Sequence, residues 1–98
     1  VLVPLEDGDR CEILKKHGKK VISIDLNPLS RTSLMADISI VDNLTRAIPN
    51  MIEFAKEMKG MDATELHRIV ESYDNRAVLS EAIKEICRYL SGKAEEVL

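Results

Sequence analysis

The sequence predicts an α/β fold, with a three-stranded parallel sheet in its first half and a helical second half. Three observations predict it. Val1–Leu5, Val21–Leu26 and Ile38–Val41 are short runs rich in Val, Ile and Leu, bounded by Asp, Asn, Gly or Lys, the pattern of strands buried on both faces. Their separations are too long for hairpins, and a short helical segment between the first two makes a right-handed βαβ unit. Beyond Asp42 the apolar residues follow a helical period instead. The 98 residues have room for one domain, divided into a βαβ-β half over 1–50 and a helical half over 51–98. Val1–Leu5 reads as a strand with no initiator Met or lead-in before it, which implies that the chain is part of a longer polypeptide.

Each element has readable ends. Asp9 caps the first helix with Glu12 three residues on, a capping box, and Gly18 stops it just after Lys15–His17. Lys15, Lys16, Lys19 and Lys20 straddle its end, where positive charge suits the helix dipole, and read mainly as solvated surface. After the third strand, Asp42 or Asn43 caps a helix whose stripe runs through Leu44, Ala47, Ile48, Met51, Ile52, Ala55 and Met58. Pro49 falls inside it and removes the amide that would bond to Thr45, so a kink or restart is expected near residue 48. Gly60 ends that helix, and Asp62 with Glu65 offers a second capping box for a helix bearing Leu66, Ile69, Val70 and Tyr73. The turn Asp74–Asn75 leads to a last helix with Leu79, Ala82, Ile83, Ile86, Cys87 and Leu90 on one face, and the tail from Gly92 is expected to fray. The methionines at 35, 51, 58 and 61 read as core filler.

Composition narrows the function classes. Hydrophobic residues make up 45% and charged residues 32%, with a mean hydropathy of −0.11, enough apolar material for a core and too much polar material for a membrane protein. Fourteen basic residues against 17 acidic, and only three scattered aromatics, Phe54, Tyr73 and Tyr89, point away from nucleic acid. No apolar run approaches a membrane span and no signal-peptide order is present, so the cytoplasm is the expected compartment. Cys11 and Cys87 lie far apart without a CxxC and read as reduced thiols. With two histidines and two cysteines, none at metal spacing, a zinc site is not expected. His17 and His67 lack partners of catalytic spacing and read as structural or surface residues.

Ligands of open parallel sheets bind beyond the carboxyl ends of the strands. All three strands end there in polar residues: Glu6-Asp7-Gly8-Asp9-Arg10, Asn27-Pro28-Leu29-Ser30-Arg31-Thr32, and Asp42-Asn43. Gly8 permits a tight turn and a close approach to a ligand, helix-start amides suit phosphate, and Arg10 and Arg31 add full charge with forked donors. The loop nevertheless has neither GxGxxG nor GxxxxGK[ST]. Each piece also has a plainer role, Asp9 and Asp42 or Asn43 as caps and Gly8 as a turn residue, whereas two hydroxyls and an arginine after Asn27-Pro28 exceed what a turn requires. Asp25, 17 residues after Gly8, lies near where a ribose-binding acid sits in dinucleotide folds, without the glycine fingerprint of those folds.

Taken together, VLVPLEDGDR from Val1, GKKVISIDLNPLSRTS from Gly18 and ISIVDNLTRAIPNM from Ile38 resemble the C-terminal part of the archaeal phosphopantothenate synthetases, also called 4-phosphopantoate:β-alanine ligases. The strong match covers about the first half, and EDGDR and DLNPLSRT at this separation are specific as a pair. The resemblance implies a cytoplasmic, homodimeric enzyme of coenzyme A biosynthesis with a Rossmann-like core. It would join 4-phosphopantoate to β-alanine, splitting ATP to AMP and pyrophosphate with Mg²⁺. It also implies that Asp7, Gly8, Asp9 and Arg10 meet the nucleotide, with Arg10 toward phosphate and the carboxylates toward Mg²⁺ or ribose. Asn27, Pro28, Ser30, Arg31 and Thr32 would meet ATP or the phosphate of 4-phosphopantoate, and Arg10 and Arg31 would be the catalytic charges. A chain holding only part of the site is expected to be inactive alone. Two other readings of the same residues are a non-catalytic nucleotide-binding regulatory module and an interaction domain docking through the helices at 62–73 and 75–90.

Overall fold

The structure is a computed structural model that describes residues 1–4 and 8–98. Its elements are β1 (Leu2–Val3), α1 (Gly8–Lys16), β2 (Ile22–Ile24), α2 (Arg31–Met35), β3 (Ile38–Ile40), α3 (Leu44–Met58), α4 (Ala63–Ser72) and α5 (Asn75–Val97). The strands form a parallel sheet in the order β1-β2-β3, so the expected α/β fold is the one observed. The strands are shorter than the apolar runs that announce them, and Leu5 of the first run lies outside the described residues.

Register and alternation sort the side chains onto two faces. Val3 is paired with Ser23, and Ser23 with Ser39. The face carrying Val3 and Val21 packs with Cys11 of α1 and with Ala36, and Leu14 and Met35 close its margin. Burial pushes the Cys11 thiol above its ordinary pKa, which suits a neutral core residue. Ile24 belongs to the opposite face, and the buried residues contributed by α3 and α5 are Ala47 and Leu79.

The helix ends follow the sequence signals, with one exception. Gly18 adopts φ +75°, with its amide bonded to Lys15 O and that of Lys19 to Leu14 O, a Schellman ending that needs the left-handed conformation. Asn43, Asp62 and Asp74 cap α3, α4 and α5 by accepting from Arg46 N, Glu65 N and Ala77 N. The exception is the expected Asp9–Glu12 capping box. α1 already begins at Gly8, so Asp9 sits within its first turn, and both carboxylates turn to the Arg31 guanidinium, a charged partner stronger than a backbone amide.

Five other expectations change. Residues 31–35 form α2, because Ser30 supplies an N-cap and accepts from Ser33 N at 3.1 Å. α3 runs unbroken through Pro49, without the expected restart, since proline costs it a single intrahelical bond. α5 continues past Gly92 to Val97, with Lys93 paired to Glu96 in its last turns. Its stripe is buried only at Leu79, while Ile86, Cys87 and Leu90 are exposed. A 23-residue helix is about 34 Å long and outruns a sheet whose strands have at most three residues. Met35, Met51, Met58 and Met61 are half-buried at best.

Two polar clusters tie the elements together. Asp37 accepts from Lys15 Nζ at 2.6 Å and from Val21 N at 2.8 Å, so Lys15 is a cross-element partner and not surface charge. Burial pushes the Asp37 carboxyl up, but the Lys15 ammonium and the Val21 amide outweigh it and hold its pKa below the ordinary value. On β3, the outward amide of Ser39 donates to Asn75 Oδ1 at 2.7 Å, and Asn75 Nδ2 donates to Ser33 O, Ala36 O and Ser39 Oγ at 3.0–3.2 Å. Tyr73 Oη donates to the same Asn75 oxygen at 2.7 Å. One asparagine thus closes the β3 edge of the sheet and joins it to α2.

Candidate functional site

Because the strands are parallel, their carboxyl ends meet at one edge. A cavity of about 220 Å³ opens there, lined by Pro4 after β1, Ile24, Asp25 and Leu26 at the end of β2, and Asp42, Asn43 and Leu44 after β3. It draws on all three strands. The depression lined by Ala63, Thr64, His67, Arg68 and Glu71 belongs to α4 alone and gathers no groups from separate elements.

Asp25 is the notable side chain of that edge. Its Oδ1 accepts from Asn27 N at 2.9 Å, while Oδ2 is buried and has no hydrogen-bond partner, as is Ser23 Oγ two residues earlier on the same strand face. A buried carboxylate oxygen without a donor is costly, and an incoming hydroxyl or amine would relieve it. Asp42 accepts from Asn43 N at 2.8 Å and pairs with Arg46 at 3.3 Å, which leaves Asn43 to cap α3.

The residues singled out by sequence separate into two groups. Asn27 Oδ1 accepts from Leu29 N at 2.9 Å, and Asn27 O accepts from Ser33 Oγ at 2.9 Å, so this residue shapes its own turn. Pro28, Ser30 and Thr32 are buried, with Ser30 Oγ also donating to Ser33 Oγ at 3.0 Å. These four build the turn into α2, and only Asn27 among them is exposed. Gly8, Asp9 and Arg31 come together: Arg31 Nη1 donates to Asp9 Oδ1 at 3.0 Å and Nη2 to Glu12 Oε2 at 3.3 Å. A Cβ on Gly8 would stand 2.9 Å from Arg31 Cβ, so the close approach that Gly8 permits is that of the Arg31 stem. Arg10 is exposed on α1, and at 100° per residue it lies on a different face from Asp9 and Glu12. The structure therefore brings Arg31, and not Arg10, onto the Asp9–Glu12 face. Asp7 lies outside the described residues.

Sequence reasoning read Glu12 only as a capping partner. Its spacing of three from Asp9, which places both carboxylates on one helical face, was the available signal. Among the described residues no three His, Cys, Asp or Glu side chains gather as a metal site. Among the described residues no helix is long and apolar enough to cross a membrane.

A parallel βαβ sheet with acidic, amide and guanidinium groups at the carboxyl ends of its strands defines an α/β domain, with those groups at the edge where open parallel sheets take ligands. The chain belongs to the phosphopantothenate/pantothenate synthetase family, whose model matches residues 1–89. It is similar to a protein of Methanosarcina mazei named 4-phosphopantoate–β-alanine ligase, with 62% identity over 96 residues that cover 98% of this chain and 38% of the relative. Proteins of the same name from Thermococcus kodakarensis and Thermococcus onnurineus are 55% and 56% identical, over 98% and 97% of this chain and 37% and 36% of their own lengths. The chain thus spans little more than a third of the curated relatives it matches.

Proposed function

We propose that this chain is the nucleotide-site part of an ATP-dependent ligase of coenzyme A biosynthesis that joins 4-phosphopantoate to β-alanine and releases AMP and pyrophosphate. The observation that carries this reading is the 62% identity over 96 residues to a protein named for that ligation. In the reaction, a carboxylate oxygen of 4-phosphopantoate attacks the α-phosphorus of ATP and pyrophosphate leaves. The β-alanine amine then attacks the acyl carbon, loses a proton, and AMP leaves. The chemistry asks for charge stabilisation at phosphate oxygens more than for a protein nucleophile.

Arg31 and Arg10 are the charges offered to those phosphates. The strand-end cavity takes the nucleoside, with Asp25 Oδ2 as acceptor for a ribose hydroxyl, which supplies the donor that this oxygen lacks. Gly8 and Asp9 seat Arg31, while Asn27, Pro28, Ser30 and Thr32 hold the turn from which it projects. The described residues do not form a protein-held magnesium site. They fit an ion carried by the triphosphate, which keeps its own waters and needs one or two carboxylates at most. Magnesium bound in that way supplies charge neutralisation at the phosphates.

In this reading the 98 residues are a part of a longer, cytoplasmic, homodimeric enzyme with small-molecule partners only. Residues 1–50 hold the nucleotide half and 51–98 the helical half, and the part does not turn over alone. The test is AMP release by the full-length protein with ATP and Mg²⁺, with 4-phosphopantoate and β-alanine added separately and together. AMP in quantity only with both acceptors is the expected result. ATP binding without AMP under every combination would replace the ligase by a nucleotide-binding module.

A further inference from the structure

Arg31 is the first residue of a five-residue helix, and its side chain is 57% exposed. An arginine so placed ordinarily samples many rotamers. Here one guanidinium gives one nitrogen to each of two carboxylates a helical turn apart, Nη1 to Asp9 at 3.0 Å and Nη2 to Glu12 at 3.3 Å. Guanidinium N–H groups are coplanar, so two bonds from different nitrogens to separate carboxylates fix its orientation. The stem is fixed as well, since a Cβ on Gly8 would stand 2.9 Å from Arg31 Cβ and 3.0 Å from Cζ and Nε. The two carboxylates are unequal. Asp9 is 86% exposed, whereas Glu12 is 43% exposed and braced by Lys16 at 3.5 Å.

We infer that Glu12 is the positioning residue for Arg31, holding its guanidinium in one orientation at the nucleotide end, with Gly8 as the seat and Asp9 as the second arm. This rests on the reading of Arg31 as a phosphate-facing charge. With Lys16 on Glu12, two cations face two carboxylates and the cluster has no positive excess, so its service is to aim a donor and not to raise attraction for a polyanion. Misaiming a charge that meets the transition state lowers kcat, while ground-state affinity changes little.

The experiment compares Arg31→Ala, Glu12→Gln and the double variant in the full-length ligase, with kcat, KM for ATP and Tm measured for each. The expected result for Glu12→Gln is a fall in kcat of about tenfold or more, a KM for ATP within about threefold of the parent, and an unchanged Tm. In the Arg31→Ala background, Glu12→Gln should cost nothing further, because the group it aims is gone. Should Glu12→Gln fold poorly, Gly8→Ala gives the same signature, because its methyl displaces the Arg31 stem. If Arg31→Ala lowers turnover while Glu12→Gln and Gly8→Ala leave kcat intact, the positioning role is wrong and the ligase reading stands. If Glu12→Gln lowers kcat only together with Tm, and additively with Arg31→Ala, Glu12 is a structural tie and the proposal falls. If Arg31→Ala itself has no effect, the phosphate-facing reading of Arg31 falls first and takes this inference with it.

Discussion

The two halves of the chain carry similar numbers of charges and use them differently. In residues 1–50, beside the local pairs Glu12 with Lys16 and Asp42 with Arg46, charged side chains reach from one element to another: Arg31 of α2 to Asp9 and Glu12 of α1, and Lys15 of α1 to Asp37 ahead of β3. In residues 51–98, the ion pairs among the described residues join neighbours on one helix, Glu53 with Lys56, Glu81 with Lys84, Glu85 with Arg88 and Lys93 with Glu96, and His67 meets Glu71 one turn along α4. Pairs of the second kind stabilise a helix by a few tenths of a kcal/mol and say nothing about its surroundings. Pairs of the first kind exist only when the tertiary structure is assembled. Charge that crosses between elements therefore marks where this molecule is specified, and it lies in the half that holds the strand-end cavity. Tyr73 and Asn75 are the places where the helical half takes part, through their bonds to β3 and α2.

The comparison predicts large effects where charge crosses between elements and small ones where it does not. Under the proposed function, Arg31→Ala should cost the full-length protein about 3 kcal/mol in transition-state stabilisation, roughly a hundredfold in AMP release. A loss under threefold would remove Arg31 from the phosphates. Asn75→Ala leaves the Ser39 amide with only Tyr73 Oη at 3.3 Å and takes the Asn75 donor from the Ala36 carbonyl, while Ser33 O keeps Ser39 Oγ, and it should lower the unfolding free energy by about 2 kcal/mol in a urea titration. An unchanged midpoint would mean that the β3 edge is closed by something else.

Asp37 gives a smaller effect with a definite pH sign. Its pKa is lowered on folding, so the stability it contributes is complete above about pH 4, the ordinary aspartate range, and is lost as pH falls from there through the lowered folded value. Asp37→Asn should cost about 1–2 kcal/mol at pH 7 and flatten the decline of stability below pH 4. An unaltered acid limb would place that decline on other carboxylates. At the bottom of the scale, Lys56→Ala on α3 should change the unfolding free energy by under about 0.5 kcal/mol. A change above 1 kcal/mol would show that the helical half uses its charges as the first half does.

Local signals were legible in the sequence and non-local ones were not. The strands showed as apolar runs, Gly18 as a helix stop, and Asp62 as a cap, because each depends on a few adjacent residues. α2 was hidden because five residues give no periodicity, and its Ser30 cap lies in a segment that reads as a ligand-facing loop. The stripe at Ile86, Cys87 and Leu90 read as core because periodicity reports which side of a helix is apolar and not how far the sheet beneath it extends. At the candidate site, the convergence of the strand ends followed from the parallel sheet alone. The crossing of Arg31 to Glu12 did not, since 19 residues separate them and the shared helical face of Asp9 and Glu12 fits a capping box equally well.

The central claim is that nucleotide is met by the strand-end edge of the first half and not by the helical half. Amide chemical-shift mapping of this 98-residue chain titrated with Mg²⁺-ATP tests it most directly. The account predicts shifts concentrated at Gly8–Glu12, Asp25–Thr32 and Asp42–Leu44, with α4 and α5 silent beyond Asn75. Shifts centred on α4 or along α5, with those three segments unmoved, would contradict it.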